Sequence, residues 1–149
     1  MAKIKSRIFP AVVLLVAIIV LGGCTTQKKP LPSTPKSTAE TKDLAADINK
    51  IAMSVQGVEK SYSVVVGNVA LIGIDIDKDQ QEPGISNIKN RVAEKAEADA
   101  RIVRAYVSSD PDTTARIKEL ADNVRKGRPV TEDLDEIGEI IQRLTPQTD

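Results

Sequence analysis

The residues with the most definite chemistry are Leu21-Gly22-Gly23-Cys24, where the single cysteine of the chain follows two glycines and a leucine. A lipoprotein signal peptidase needs small residues just before its cut, so that the backbone lies flat in the site, and a cysteine just after it. Leu21, Gly22 and Gly23 fit the recognition positions, and Cys24 is the expected lipidation site, carrying diacylglycerol with or without an N-acyl group. Other reactive groups are scarce. The chain has no histidine, and acylation of Cys24 leaves no free thiol, so the usual neutral-pH base, the commonest metal ligand and the cysteine nucleophile are missing. No Gly-x-Ser-x-Gly turn is present to activate a serine. Asp75, Asp77 and Asp79 alternate like the start of a calcium loop, but Gln80 and Ser86 stand where glycine and a bidentate glutamate are required. An acidic strand end is the simpler reading, and no catalytic residue, metal or dissociable cofactor is expected.

The flanking residues support the lipobox. Lys3, Lys5 and Arg7 provide a positive start, and residues 8–21 are apolar apart from the break at Pro10. The uninterrupted stretch 11–21 is shorter than the ~20 residues needed to span a bilayer. Residues 1–23 therefore read as a cleaved signal peptide, and the mature chain as held on the outer face of a membrane by its acyl chains. Two chains, at about 0.8 kcal/mol per buried methylene, hold a protein stably where one does not.

Removal of the signal leaves 18 Lys and Arg against 21 Asp and Glu. Residues 24–42 are rich in Pro, Ser, Thr and Lys, bury too little apolar surface to offset the entropy of ordering, and read as an extended tether. Their lysines either meet anionic headgroups or are simply solvated. Residues 43–149 hold 14 basic and 20 acidic residues and suit one compact domain. With no basic face, and with Tyr62 and Tyr106 the only aromatics after cleavage, nucleic acid is excluded as a partner.

Within the domain, Leu44, Ile48, Ile51, Ala52 and Val55 recur at helical spacing up to Gly57. Val58–Val66 and Val69–Ile76 read as strands joined at Gly67-Asn68. Tyr62, Val64 and Val66, together with Ala70, Ile72, Ile74 and Ile76, are expected to line the core. A helix over residues 85–100 carries Ile85, Ile88, Val92, Ala96 and Ala100 four apart, and a short strand follows over 102–107. The expected fold class is α+β, a helix-strand-strand-helix-strand sandwich with a three-stranded sheet and one sheet face covered. The other face would present Ser61, Ser63, Val65, Val69 and Leu71, joined by Arg104 and Tyr106. That surface is too apolar to be left open, so either two additional C-terminal helices fold over it or it docks a partner.

The first of those helices starts at Asp110-Pro111 and ends at Gly127, with Ile117, Leu120, Ala121 and Val124 as its stripe. The second is expected to be capped by Thr131 and to carry Leu134, Ile137, Ile140, Ile141 and Leu144. Arg128, between a helix-stopping glycine and Pro129, has no backbone role that needs a guanidinium. A buried ion pair or an anionic partner would account for it, and Arg128, Tyr106 and Arg104 are the candidate partner-binding residues.

The segment Ala105-Tyr106-Val107-Ser108-Ser109-Asp110-Pro111-Asp112, then Arg116, Ala121 and Val124-Arg125-Lys126-Gly127-Arg128-Pro129-Val130, and a last helix with Asp135-Glu136, resembles the YhcN/YlaJ family of sporulation lipoproteins. Thr113, Asp133, Ile137 and Thr145 stand where that family suggests aromatics. The resemblance implies a spore-forming Gram-positive bacterium, the outer leaflet of the inner spore membrane, and a non-catalytic role in germination or outgrowth. The implied partner is a spore envelope protein or peptidoglycan. The order of elements is also similar to ring-building motifs, which implies a homo-oligomer or array subunit as one alternative; a cortex-binding protein or regulator of a cell-wall hydrolase is another.

Overall fold

A computed structural model describes residues 37–145. Helix α1, Thr38–Met53, starts at a reciprocal cap in which Ser37 Oγ accepts from the Glu40 N–H and the Glu40 carboxylate accepts from the Ser37 N–H. The start lies inside the stretch whose composition reads as tether: Ser37-Thr38-Ala39-Glu40 is a capping signature in a Pro/Ser/Thr-rich segment. Strands β1, Val58–Val66, and β2, Val69–Ile76, keep the expected bounds. Gly67 takes φ 57° while Asn68 stays at negative φ, the sign pattern of a II′ hairpin turn, which only glycine enters without steric cost.

Helix α2, Gly84–Glu97, ends three residues before the expected stop, and β3, Arg104–Ser108, starts two residues late. Ile102 nevertheless lies fully buried in the connection. Helix α3, Pro111–Arg125, is capped as expected, with Asp110 Oδ1 accepting from the Thr113 N–H and hydroxyl at 2.8 Å. Thr131 does not cap the last helix. Residues Val130–Asp133 form a 3₁₀ turn that leads into α4, Leu134–Leu144, and Leu134 is exposed rather than part of the buried stripe.

The sheet order is β1-β2-β3, with β1 antiparallel and β3 parallel to β2. The register corrects the expected faces. Val66 pairs with Val69 and Val65 with Ala70, so Ser61, Ser63 and Val65 share a face with Ala70, Ile72 and Ile74. Tyr62, Val64 and Val66 share the opposite face with Val69 and Leu71. The physical reason is the two-residue turn: its flanking residues lie directly opposite each other and point the same way. Both faces are covered. On one, α1 and α2 bury Leu44, Ile48, Ala52, Ile88 and Val92 against Val65, Ala70, Ile72 and Ile74. On the other, Ile117, Leu120, Ala121, Ile137 and Ile140 of α3 and α4 close over Val64 and Leu71. Of the two alternatives for the second face, the C-terminal helices fold over it, and no open docking face remains among the described residues. At its centre Gly73 lets α3 approach the bare strand, where a Cβ would lie 3.1 Å from Thr114 Cα.

Candidate functional site

Leu21, Gly22, Gly23 and Cys24 lie outside the described residues. The other sequence candidates are separate. Arg104, exposed at the start of β3, lies 3.8 Å from a Glu97 carboxylate oxygen. Tyr106 is half-buried on the same face of β3. Arg128 does form an ion pair, reaching Glu132 at 2.9 Å and Asp133 at 3.3 Å within the turn that follows it. The guanidinium is half-exposed, as is Glu132, but the Asp133 side chain is only 11% exposed and its Oδ2 is buried without a hydrogen-bond partner among the described residues, so the pair both fastens the turn and offsets a largely buried carboxylate. Among the described residues no hydrogen bond or ion pair joins Arg128 to Arg104 or Tyr106. Asp79 N–H donates to Asp77 Oδ1 at 3.2 Å in the turn after β2, and no group of three or more His, Cys, Asp or Glu among the described residues could hold a metal.

The arrangement that sequence reasoning missed is a groove of about 210 Å³ along the edge of β1, walled by α1 and α3. Thr41, Lys42, Ala45, Ala46 and Asn49 form one wall, and Ala121, Val124 and Arg125 the other. Ser61 to Val65 form its floor. Ser63 is buried, its Oγ 2.7 Å from Asn49 Oδ1 and 3.0 Å from the Ala45 carbonyl oxygen, while Ser61 Oγ donates to Asn49 Oδ1 at 3.1 Å. Buried hydroxyls need such partners, and Asn49 on α1 supplies one for both serines of β1. The signal was present in the alternation of Ser61 and Ser63 in the part of the strand that is otherwise apolar, after Lys60. Ser63 is not an activated nucleophile, because the acceptors of its proton are amide and peptide oxygens, which do not take up a proton near neutral pH.

The groove is basic at one end. Lys42 Nζ donates to the Arg125 carbonyl at 3.2 Å, bridging the two walls, and has no carboxylate partner among the described residues. Arg125 is paired with Asp122, which also accepts from Lys118 at 2.9 Å. The bond from Lys118, with that from Arg125, holds the Asp122 carboxyl below the usual carboxylate range, and Asp122 in turn raises Lys118. Lys118 stands 5.8 Å from the Tyr62 ring centroid at the other end.

A three-stranded sheet with helices on both faces and a polar groove at one edge defines a small α+β module. The chain belongs to the family described as Sporulation lipoprotein YhcN/YlaJ, whose match covers residues 25–145. Two proteins of Bacillus subtilis (strain 168) are similar to it. "Probable spore germination lipoprotein YlaJ" is 35% identical over 130 residues, 83% of this chain and 62% of that protein. "Probable spore germination lipoprotein YhcN" is 27% identical over 111 residues, 74% of this chain and 57% of that protein. The chain thus spans less than two thirds of the length of either relative. No helix among the described residues is long and apolar enough to cross a membrane.

Proposed function

We propose that this chain is a lipid-anchored accessory protein of spore germination or outgrowth, held by diacylglycerol on Cys24 at the extracytoplasmic face of the inner spore membrane. In this reading it acts by binding a partner and not by catalysis. Membership of a sporulation lipoprotein family and the names of the two Bacillus subtilis relatives support the setting. The observation that carries the binding reading is the β1 groove, which gathers hydrogen-bonding groups and a cation around a serine with no base beside it. The alternative of a ring or array subunit, built through the open sheet face and a sheet edge, is left with the edge alone, since α3 and α4 cover the face.

The reading is tested in the spore-forming host. Cys24→Ala should move the protein from the membrane fraction or leave it unprocessed, and should delay germination as much as deletion does. Normal processing with full membrane retention would overturn the anchor. Turnover of cortex fragments by the purified protein would overturn the non-catalytic role.

A further inference from the structure

The two edges of the sheet are treated differently. Edge strands expose unpaired N–H and C=O groups that invite another strand, and proteins blunt them with short strands, charges and irregularities. On β3, only five residues long, the outward N–H of Ala105 is taken by the Glu97 carboxylate at 3.0 Å. On β1 a register irregularity between Val58 and Lys60 disrupts the first residues. The rest of β1 carries no charge or irregularity of that kind, and is overhung by α1 and α3 instead. Val66 and Val69 flank a two-residue turn and form a hydrogen-bonded pair, a pattern that alternation repeats at Val64–Leu71 and Tyr62–Gly73. The N–H and C=O of Ser61, Ser63 and Val65 therefore point away from β2 into the groove, and have no partner among the described residues. Ser63 is 2% and Val65 0% exposed, so these groups are recessed between α1 and α3. Unpaired buried backbone groups are costly and rare.

We propose that the β1 groove accepts an extended segment of a partner protein as a fourth strand, with an acidic group of that segment bound by Lys42. This deepens the binding reading above and depends on it. Strand addition needs only backbone hydrogen bonds and room for alternate side chains, and Ala45, Ala46 and Ala121 leave that room on both walls. Small side chains are thus selected. At the hairpin end a carboxylate would replace the Arg125 carbonyl as the acceptor for Lys42, forming a charge-assisted hydrogen bond. A second copy of this chain fits poorly, because its own β1 edge is recessed behind the same two helices. The segment before Ser37 is also mismatched. It carries Lys28, Lys29 and Lys36 without an acid after Cys24, and its prolines at 30, 32 and 35 have no N–H to donate.

The test uses the mature chain in nanodiscs with two probes, acetyl-Asp-Val-Ala-Val-Ser-Val-amide and acetyl-Val-Ser-Val-Ala-Val-Asp-amide. They place the acid at Lys42 in antiparallel or parallel addition. One of them should bind and slow hydrogen exchange at Ser63 and Val65 by about tenfold or more, leaving β3 unchanged. N-methylation of its alternate amides should abolish binding, and Lys42→Glu should weaken it about tenfold. Val65→Pro, which removes an outward N–H without breaking the β1–β2 ladder, should do the same. Binding of neither peptide, equal binding of the N-methylated form, or protection at β3 would overturn the proposal. Self-association of the chain that Val65→Pro abolishes would also overturn it, in favour of a second copy. Partner retention from spore membranes by a protein blind to both peptides would remove the groove proposal and leave the binding reading standing.

Discussion

The face of the sheet beneath α1 and α2 and the face beneath α3 and α4 are built differently. Among the described residues the first buries thirteen in one apolar cluster and the second seven, so most of their hydrophobic stabilisation lies on the first. The second depends more on fitted contacts. Gly73 admits Thr114 against the bare strand, Thr113 and Thr114 are buried, and Arg116 ties α3 to α4 through Glu136 at 3.0 Å and Glu139 at 3.1 Å. The first face is the core that makes the fold. The second is a clamp closed on it, and the groove lies where the clamp and α1 overhang the β1 edge.

The comparison can be tested by cutting equivalent groups from each side. Ile72→Ala, in the larger cluster, should cost about 2–5 kcal/mol in denaturant unfolding. Ile140→Ala should fall near the low end of that range, because half-buried Ile141 and Leu144 can settle into the space. Equal losses would make the two faces a single core. Gly73→Val should cost about 1–3 kcal/mol through overpacking against Thr114. Its hydrogen exchange should rise in α3 more than in α1, and a uniform rise would break the clamp description.

Acid should weaken the first face through its ionic tie. Arg101 bonds Asp99 at 2.7 Å and Asp47 at 3.0 Å, joining the α2–β3 connection to α1, and these bonds hold both carboxyls below their ordinary value. The folded chain then binds protons less readily than the unfolded one, so this stabilisation is whole above about pH 4 and is lost as the pH falls through the lower folded-state values. Arg101→Gln should flatten that part of the acid transition, as followed by circular dichroism; an unchanged profile would show that the tie contributes nothing. The smallest effect is expected at Arg116→Gln, less than about 1 kcal/mol in thermal melts, since its carboxylate partners are well exposed.

The two faces were also unequally legible in the sequence. Leu44, Ile48, Ala52 and Val55, like Ile88, Val92 and Ala96, announce their helices by spacing alone, and Gly67-Asn68 fixes the hairpin. The pairing of faces went astray because Ser61 and Ser63 look like solvent residues. The burial of Ser63 and the partial burial of Ser61 depend on Asn49, fourteen and twelve positions away in a different element. The turn itself contained the correction, since Val66 and Val69 must point the same way. The parallel placement of β3 beside β2, and the closure of α3 over Gly73, depend on long-range packing that no local period records. The groove combines three elements, so none of its parts marks it alone.

The cap at Ser37 sets how the module would bear a load. The bonds from Ser63 to Ala45 and from Ser61 to Asn49 show α1 running opposite to β1, with its first turn at the hairpin end. Tension from a lipid leash would enter at that tip, while a segment seated on β1 would resist it. The α1–β1 contact would then be strained in shear along its whole length instead of being peeled open one turn at a time, the direction in which a bonded seam yields last.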